Sequence, residues 1–218
     1  MYKVLIADDH PLFRDAIVHI LGAKFPNCIT YESEDITATL ALARENEDID
    51  LIMLDLNMPG MSGLNGLLDL INECPTTPVV VVSAENKKQV ILQTMAYGAV
   101  GFIAKSSSKE EISDAIATVL DGNVYLPADI LRAQATPASK QESTIVPEML
   151  SSLTRRQLMV LKCMTKGEAN KQIAYNLNVS ETTVKSHVSS ILKKLGVTNR
   201  VQAVLGCSGI DFNQYLKR

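Results

Sequence analysis

Over the first 122 residues, short unbroken apolar runs alternate with stretches in which apolar residues return every three or four positions. The runs Val4-Leu5-Ile6-Ala7, Leu51-Ile52-Met53-Leu54, Val79 to Val82 and Gly101-Phe102-Ile103-Ala104 suit strands covered on both faces. A further strand is expected over 28–31. Leu12, Phe13, Ala16, Ile17, Ile20 and Leu21 recur at helical spacing behind Pro11, a residue suited to a first helical turn. Helices are expected over 36–44, 64–71, 88–97 and 110–120. The last offers Ile112, Ala115, Ile116, Val119 and Leu120 as one face for the sheet. Five strand–helix alternations predict an α/β domain with a five-stranded, doubly wound parallel sheet and right-handed crossovers.

The pattern fades between 126 and 147, where Ala135-Thr136-Pro137-Ala138-Ser139-Lys140-Gln141-Glu142-Ser143 reads as a linker, with room for a helical turn or two over 128–133 that would extend the first domain. Beyond it only helical periodicity and turn signals occur. Thr154 is a plausible helix cap ahead of Leu158, Val160, Leu161 and Met164. A second helix is expected over 170–177, Asn178-Val179 makes a turn, and Ser180 can cap a third helix that Gly196 ends. A fourth is expected over 200–206. The division is therefore an α/β domain at 1–122, a linker at 123–148 and a small all-α domain at 149–218.

Composition adds two constraints. Hydrophobic residues make up 46% and charged residues 21%, which is globular composition. No apolar stretch approaches the roughly 18 residues of a membrane span, and four scattered cysteines without C-x-x-C spacing fit reduced thiols. A cytoplasmic protein is expected. The charge of −3 hides a division: residues 1–125 hold 8 Lys/Arg against 18 Asp/Glu, while residues 126–218 hold 13 against 6. The C-terminal part is thus suited to a polyanion and the N-terminal part is not.

Candidate chemistry sits where the apolar runs stop. Asp8 and Asp9, Asp55, Ser83 and Lys105 each follow or close a run, and the carboxyl ends of parallel strands share one ligand-binding edge. Three carboxylates suit Mg²⁺, which prefers oxygen donors. A hydroxyl and an ammonium suit phosphoryl oxygens, with Asp55 as nucleophile. Asp8-Asp9-His10-Pro11, Leu54-Asp55-Leu56-Asn57-Met58-Pro59-Gly60-Met61-Ser62-Gly63, Ser83-Ala84 and Lys105 resemble a response-regulator receiver domain, a flavodoxin-like fold. The resemblance implies that Asp55 is the phosphoacceptor and that Ser83 and Lys105 read the phosphoryl group. It also implies that Mg²⁺ is held by Asp8, Asp9, Asp55 and the Asn57 backbone carbonyl, and that Phe102 is an aromatic switch moving with Ser83. Ser106 departs from the family's frequent Pro after the Lys. A phosphatase of the haloacid dehalogenase kind would want a second Asp two residues after Asp55, where Asn57 stands. The family reading is accordingly non-enzymatic.

In the basic part, Val184, Val188, Ile191, Leu192 and Leu195 make one buried stripe of the third helix. Thr182, Ser186, Ser189, Ser190 and Lys193 face away, with Thr183, Lys185 and His187 beside them, a set suited to a major groove. Leu153-Thr154-Arg155-Arg156-Gln157, Gly167-Glu168-Ala169-Asn170-Lys171-Gln172-Ile173-Ala174, Ser180 to His187 and Leu195-Gly196-Val197-Thr198-Asn199-Arg200 resemble the LuxR-type helix-turn-helix domain. The resemblance implies a recognition helix over 180–195, Asn170 and Lys171 near phosphates, and a last helix that forms the DNA-bound dimer. Val201, Val204 and Leu205 are its candidates, with packing into the domain's own core as the alternative. Gln157 stands where the family commonly has Glu, so a salt bridge made by that Glu is expected to be absent. Together the two resemblances imply a NarL/FixJ-type regulator phosphorylated by a sensor histidine kinase, which dimerises and binds promoter double-stranded DNA. An alternative is a phosphorylation-independent regulator whose receiver serves only as a dimerisation platform.

Overall fold

Every residue of two strands is buried, β3 (Leu51–Asp55) and β4 (Val79–Ser83), because helices cover both faces of the sheet. They pair in parallel with β1 (Lys3–Ala7), β2 (Ile29–Ser33) and β5 (Gly101–Ala104) in the order β2-β1-β3-β4-β5, a flavodoxin-like doubly wound sheet. The computed structural model describes residues 1–128, 130, 145, 147–207 and 210–216. β2 lies on an edge and is only partly covered, which is why its apolar signal is the weakest of the five. The crossover helices are α1 (Pro11–Lys24), α2 (Ile36–Glu45), α3 (Asn65–Glu73), α4 (Lys88–Ala96) and α5 (Lys109–Leu120).

Register positions the chemistry. Ala7 pairs with Leu54, Asp55 with Val82, and Ser83 with Ala104. Asp8, Asp55, Ser83 and Lys105 therefore emerge side by side at the carboxyl edge.

Two expectations for this unit change. α1 starts with Pro11 in its first turn but runs past Gly22, and its apolar face is narrower than the spacing suggests. Leu12 and Ala16 face solvent, while Arg14 is buried beside Ile17, Ile20 and Leu21. The unit also does not stop at residue 122. Tyr125 pairs in parallel with Gly101: its N–H donates to the Val100 carbonyl, and its carbonyl accepts from the Phe102 N–H, both at 3.1 Å. Ile130 is 3% exposed within the same apolar cluster as Phe102. The start of the expected linker is thus structural, covering the open edge of β5. A Cβ on Gly101 would lie 3.0 Å from the Tyr125 carbonyl oxygen, so the close approach depends on glycine. The expected linker segment 135–143 lies outside the described residues, as does most of the short helix expected over 128–133.

The second unit is helical: α6 (Pro147–Ser151), α7 (Arg155–Thr165), α8 (Asn170–Leu177), α9 (Glu181–Leu195), α10 (Arg200–Gly206) and α11 (Asn213–Leu216). α7 opens with a capping box, in which the Thr154 hydroxyl accepts from Gln157 N–H and the Gln157 amide oxygen accepts from Thr154 N–H. Asn178 ends α8 at φ 51°, the left-handed conformation that Asn tolerates better than most residues. That turn redirects the chain to Ser180, whose hydroxyl caps α9. The expected stripe of Val184, Val188, Ile191, Leu192 and Leu195 is 0–3% exposed and forms the core with Leu158, Val160, Leu161 and Met164. α6 and α11 have no counterpart in the sequence reading, being too short to show periodicity. Among the described residues no helix is long and apolar enough to cross a membrane.

Candidate functional site

Asp8, Asp55 and Ser83 are at most 1% exposed, and Asp9 is half-buried. Lys105 reaches over them, with Nζ 2.7 Å from Asp8 Oδ2 and 2.8 Å from Asp55 Oδ2. Burial acts to lower the Lys105 pKa, but pairing with Asp55 and Asp8 outweighs it and holds the pKa above its ordinary value. Nζ also lies 5.1 Å from the centroid of the Phe13 ring, a cation–π distance. The other Asp55 oxygen, Oδ1, accepts the Asn57 N–H at 3.1 Å. The Ser83 hydroxyl accepts the Glu85 N–H at 3.2 Å. Phe102 is wholly buried. Among the described residues there is no cis peptide bond, in keeping with Ser rather than Pro at 106.

The pocket suits a cation. Asp8, Asp9, His10 and Asp55 each offer a donor atom, all within 4.8 Å of one another. Asp8 Oδ2 and Asp9 Oδ1 are buried, and although Lys105 Nζ and His10 Nδ1 lie near, neither atom receives an aligned hydrogen bond. Buried carboxylate oxygens of this kind are costly unless a positive charge meets them. Asp8, Asp9 and Asp55 therefore fit Mg²⁺ by position and donor chemistry.

Two residues around the pocket have no role in the sequence reading. Arg14, 8% exposed, donates from Nη1 to the Asp8 backbone carbonyl at 2.7 Å and pairs with Glu32 and Glu34 at 3.0 and 2.7 Å. It anchors the β1–α1 turn that aims Asp8. A buried arginine on a helical face leaves no periodic signal. The second is His10, present in the motif but given no role there. Its Nδ1 lies 3.1 Å from Asp8 Oδ1 and 2.7 Å from Asp9 Oδ1.

On the helical unit, Thr182, Ser186, Ser189 and Lys193 are exposed along α9, and Lys185, His187 and Ser190 are half-buried. Thr183 belongs first to the helix start, with its hydroxyl 2.7 Å from that of Ser180. Lys171 is half-buried at the start of α8. Asn170 is partly committed inside the unit: its Oδ1 accepts from Arg200 Nη1 at 3.2 Å. Arg200 also donates to the Glu168 carbonyl, tying the first turn of α10 to the start of α8. Burial pushes the Arg200 pKa down to about 10.

Gln157 makes no salt bridge, as expected, but it does hold a hydrogen bond to a charged partner. Its amide oxygen accepts from Lys194 Nζ at 2.9 Å, while Lys194 also reaches the Ser152 carbonyl at 2.8 Å. An ion–dipole contact thus joins α7 to α9. The dimer candidates divide as well. Leu205 is 60% exposed and Val201 half-buried, whereas Val204 packs against the unit's own core.

Residues 4–117 match the response regulator receiver domain, and residues 151–206 match the bacterial regulatory proteins of the luxR family. The Glycerol metabolism activator of Pseudomonas putida is 58% identical over the full length of both chains. The nitrate/nitrite response regulator NarP of Escherichia coli is 33% identical, over 94% of this chain and 93% of that one. In fold, the RcsB response regulator of Salmonella typhimurium superposes with a TM-score of 0.55 at 24% identity, over 96% and 98% of the two chains. A structure of two RcsB dimers bound to two parallel DNAs gives 0.53, also at 24% identity, over 96% and 99%.

Proposed function

Because the chain belongs to the two-component response regulators that join a receiver domain to a LuxR-type helix-turn-helix domain and control transcription, we propose that Asp55 is its phosphoacceptor. The observation that carries this reading is the Asp55 carboxylate at the end of β3, paired with Lys105 and bordered by Asp8. An Asp55 oxygen attacks the phosphorus of a sensor kinase's phosphohistidine. The P–O bond forms as the P–N bond breaks, and the electron pair returns to the imidazole. Asp8, Asp9 and Asp55, with the Asn57 carbonyl, would hold Mg²⁺, which offsets the charge gathered on the phosphoryl oxygens. Lys105 gives up its pairing with Asp55 to bind those oxygens, and Ser83 donates its hydroxyl to them.

The phosphorylated form shifts a pre-existing equilibrium toward a dimer that binds promoter DNA. Ser83 and the buried Phe102 are the switch. The exposed row of α9, together with Lys171 and the Asn170 side chain, faces the DNA, and Val201 and Leu205 remain the dimer candidates. Val204 contributes from beneath. The receiver covers residues 1–122 and the β5 extension at Tyr125, and the DNA-binding domain starts near 149. The P. putida relative's description as an activator of glycerol metabolism supports an activating output of the same kind in this chain.

Lys105→Ala should still accept a phosphoryl group on Asp55 yet fail to raise DNA occupancy, since the ammonium that registers the phosphoryl group is gone. Phosphodonor-induced dimerisation of this variant at wild-type level, read by light scattering, would remove the role given to Lys105. Lys185→Ala should weaken promoter binding by about 1–3 kcal/mol if it reaches a base edge. Fluorescence anisotropy at fixed salt measures it, and an unchanged dissociation constant would exclude the contact.

A further inference from the structure

We propose that Arg200 is a positioning residue for DNA binding: it holds the Asn170 amide in the orientation that donates to a backbone phosphate. The inference rests on reading the start of α8 as a phosphate contact and names what orients it. Arg200 is the first residue of α10, and that helix start is fixed from within. The Asn199 side chain accepts the Gln202 N–H at 2.9 Å, and Gln202 Oε1 accepts the Thr198 N–H at 3.1 Å. From there the guanidinium crosses to α8. Nη1 donates to Asn170 Oδ1 at 3.2 Å, and Nη2 donates to the Glu168 carbonyl.

Donor chemistry fixes the direction of that amide. A guanidinium only donates, so it meets Asn170 at the carbonyl oxygen and turns Nδ2 away from itself. A phosphate oxygen only accepts, so Nδ2 is the end of Asn170 that can serve it. An amide turned the other way would set Oδ1 against the phosphate and repel it. The cost of the arrangement points the same way. Burial pushes the Arg200 pKa down to about 10, against the raising effect of Glu168 and Cys163, and the oxygens that accept from Nη1 and Nη2 are neutral. A desolvated cation met by neutral oxygens is a poor device for packing, which an apolar side chain of similar volume serves as well. What Arg adds is a rigid fork that reaches two acceptors at once, which Lys lacks.

The test is fluorescence anisotropy of the full-length chain, treated with acetyl phosphate and Mg²⁺, on a short labelled duplex of mixed sequence at low ionic strength. Phosphate contacts carry no sequence information, so no operator is needed. Arg200→Lys keeps the charge and loses the fork. At a temperature where circular dichroism shows full helicity, it should lose about tenfold in affinity, the loss of one hydrogen bond to a charged group. A residue that only stabilises the unit would shift unfolding and leave this affinity unchanged. Asn170→Ala should lose a similar factor, and the double variant no more than the larger single loss, because both act through one contact. With Asn170→Ala weakened, wild-type affinity in Arg200→Lys, or losses that multiply in the double variant, overturns the positioning role alone. Wild-type affinity in Asn170→Ala overturns the phosphate contact and the inference with it. Asn170→Asp leaves Arg200 its acceptor and sets a carboxylate oxygen where Nδ2 stands, so it tests the orientation even where Arg200→Lys does not fold. It should bind more weakly than Asn170→Ala, and equal or tighter binding overturns the orientation.

Discussion

Asp55→Asn should bind promoter DNA with one affinity whether or not acetyl phosphate and Mg²⁺ are present, whereas the wild-type chain should bind more tightly once treated. The substitution keeps the volume and planar shape of a residue that is 1% exposed. Its amide oxygen can still accept the Asn57 N–H that Asp55 Oδ1 accepts at 3.1 Å. What disappears is the nucleophile. A coupling of ordinary size, about 1–3 kcal/mol, corresponds to roughly 5–150-fold in affinity, and all of it should be lost. Anisotropy or gel-shift titration at constant ionic strength gives both numbers, and intact-mass measurement confirms that only the wild type gains a phosphoryl group. A variant that still responds would exclude Asp55 as the acceptor. A wild type that takes up the group without a change in affinity would instead favour the receiver as a dimerisation platform alone.

The parts legible in the sequence are those that periodicity and register dictate. Polar residues that end buried strands can go only to the sheet edge. Asp8, Asp55, Ser83 and Lys105 therefore meet where the alternation places them, aligned by the pairing of Ala7 with Leu54 and Ser83 with Ala104. The α9 stripe was equally readable, because five apolar residues at helical spacing leave one way to pack. Long polar side chains that cross between elements were not readable. Arg14 is buried because its guanidinium finds Glu32, Glu34 and the Asp8 carbonyl, partners up to 20 residues away. Arg200 likewise reaches Asn170, 30 residues distant. Such pairs carry no local pattern. Tyr125 escaped for another reason: one residue pairing with a strand edge is too short to show alternation.

Phe102→Ala should be the most destabilising single substitution around the site, costing the receiver about 3–5 kcal/mol of unfolding free energy. Phe102 is among the largest fully buried side chains of the described residues. It lies on β5 opposite Val81 of β4, in a cluster with Leu54, Ile91 and Ile130. Truncation leaves a cavity in a strand whose outer edge is covered, among the described residues, by the Tyr125 pairing. Denaturant titration of the full-length chain would read it as a shift of the receiver transition, the helical unit serving as internal reference. Phe102→Leu separates packing from signalling. A swap between hydrophobic residues closer in size usually costs less than about 1.5 kcal/mol, so this variant should fold and accept phosphate at Asp55. It lacks the ring proposed to move with Ser83, and its phosphodonor-stimulated DNA binding should be reduced well below that of the wild type. Full stimulation in Phe102→Leu would make Phe102 a core residue and leave Ser83 and Lys105 to carry the switch.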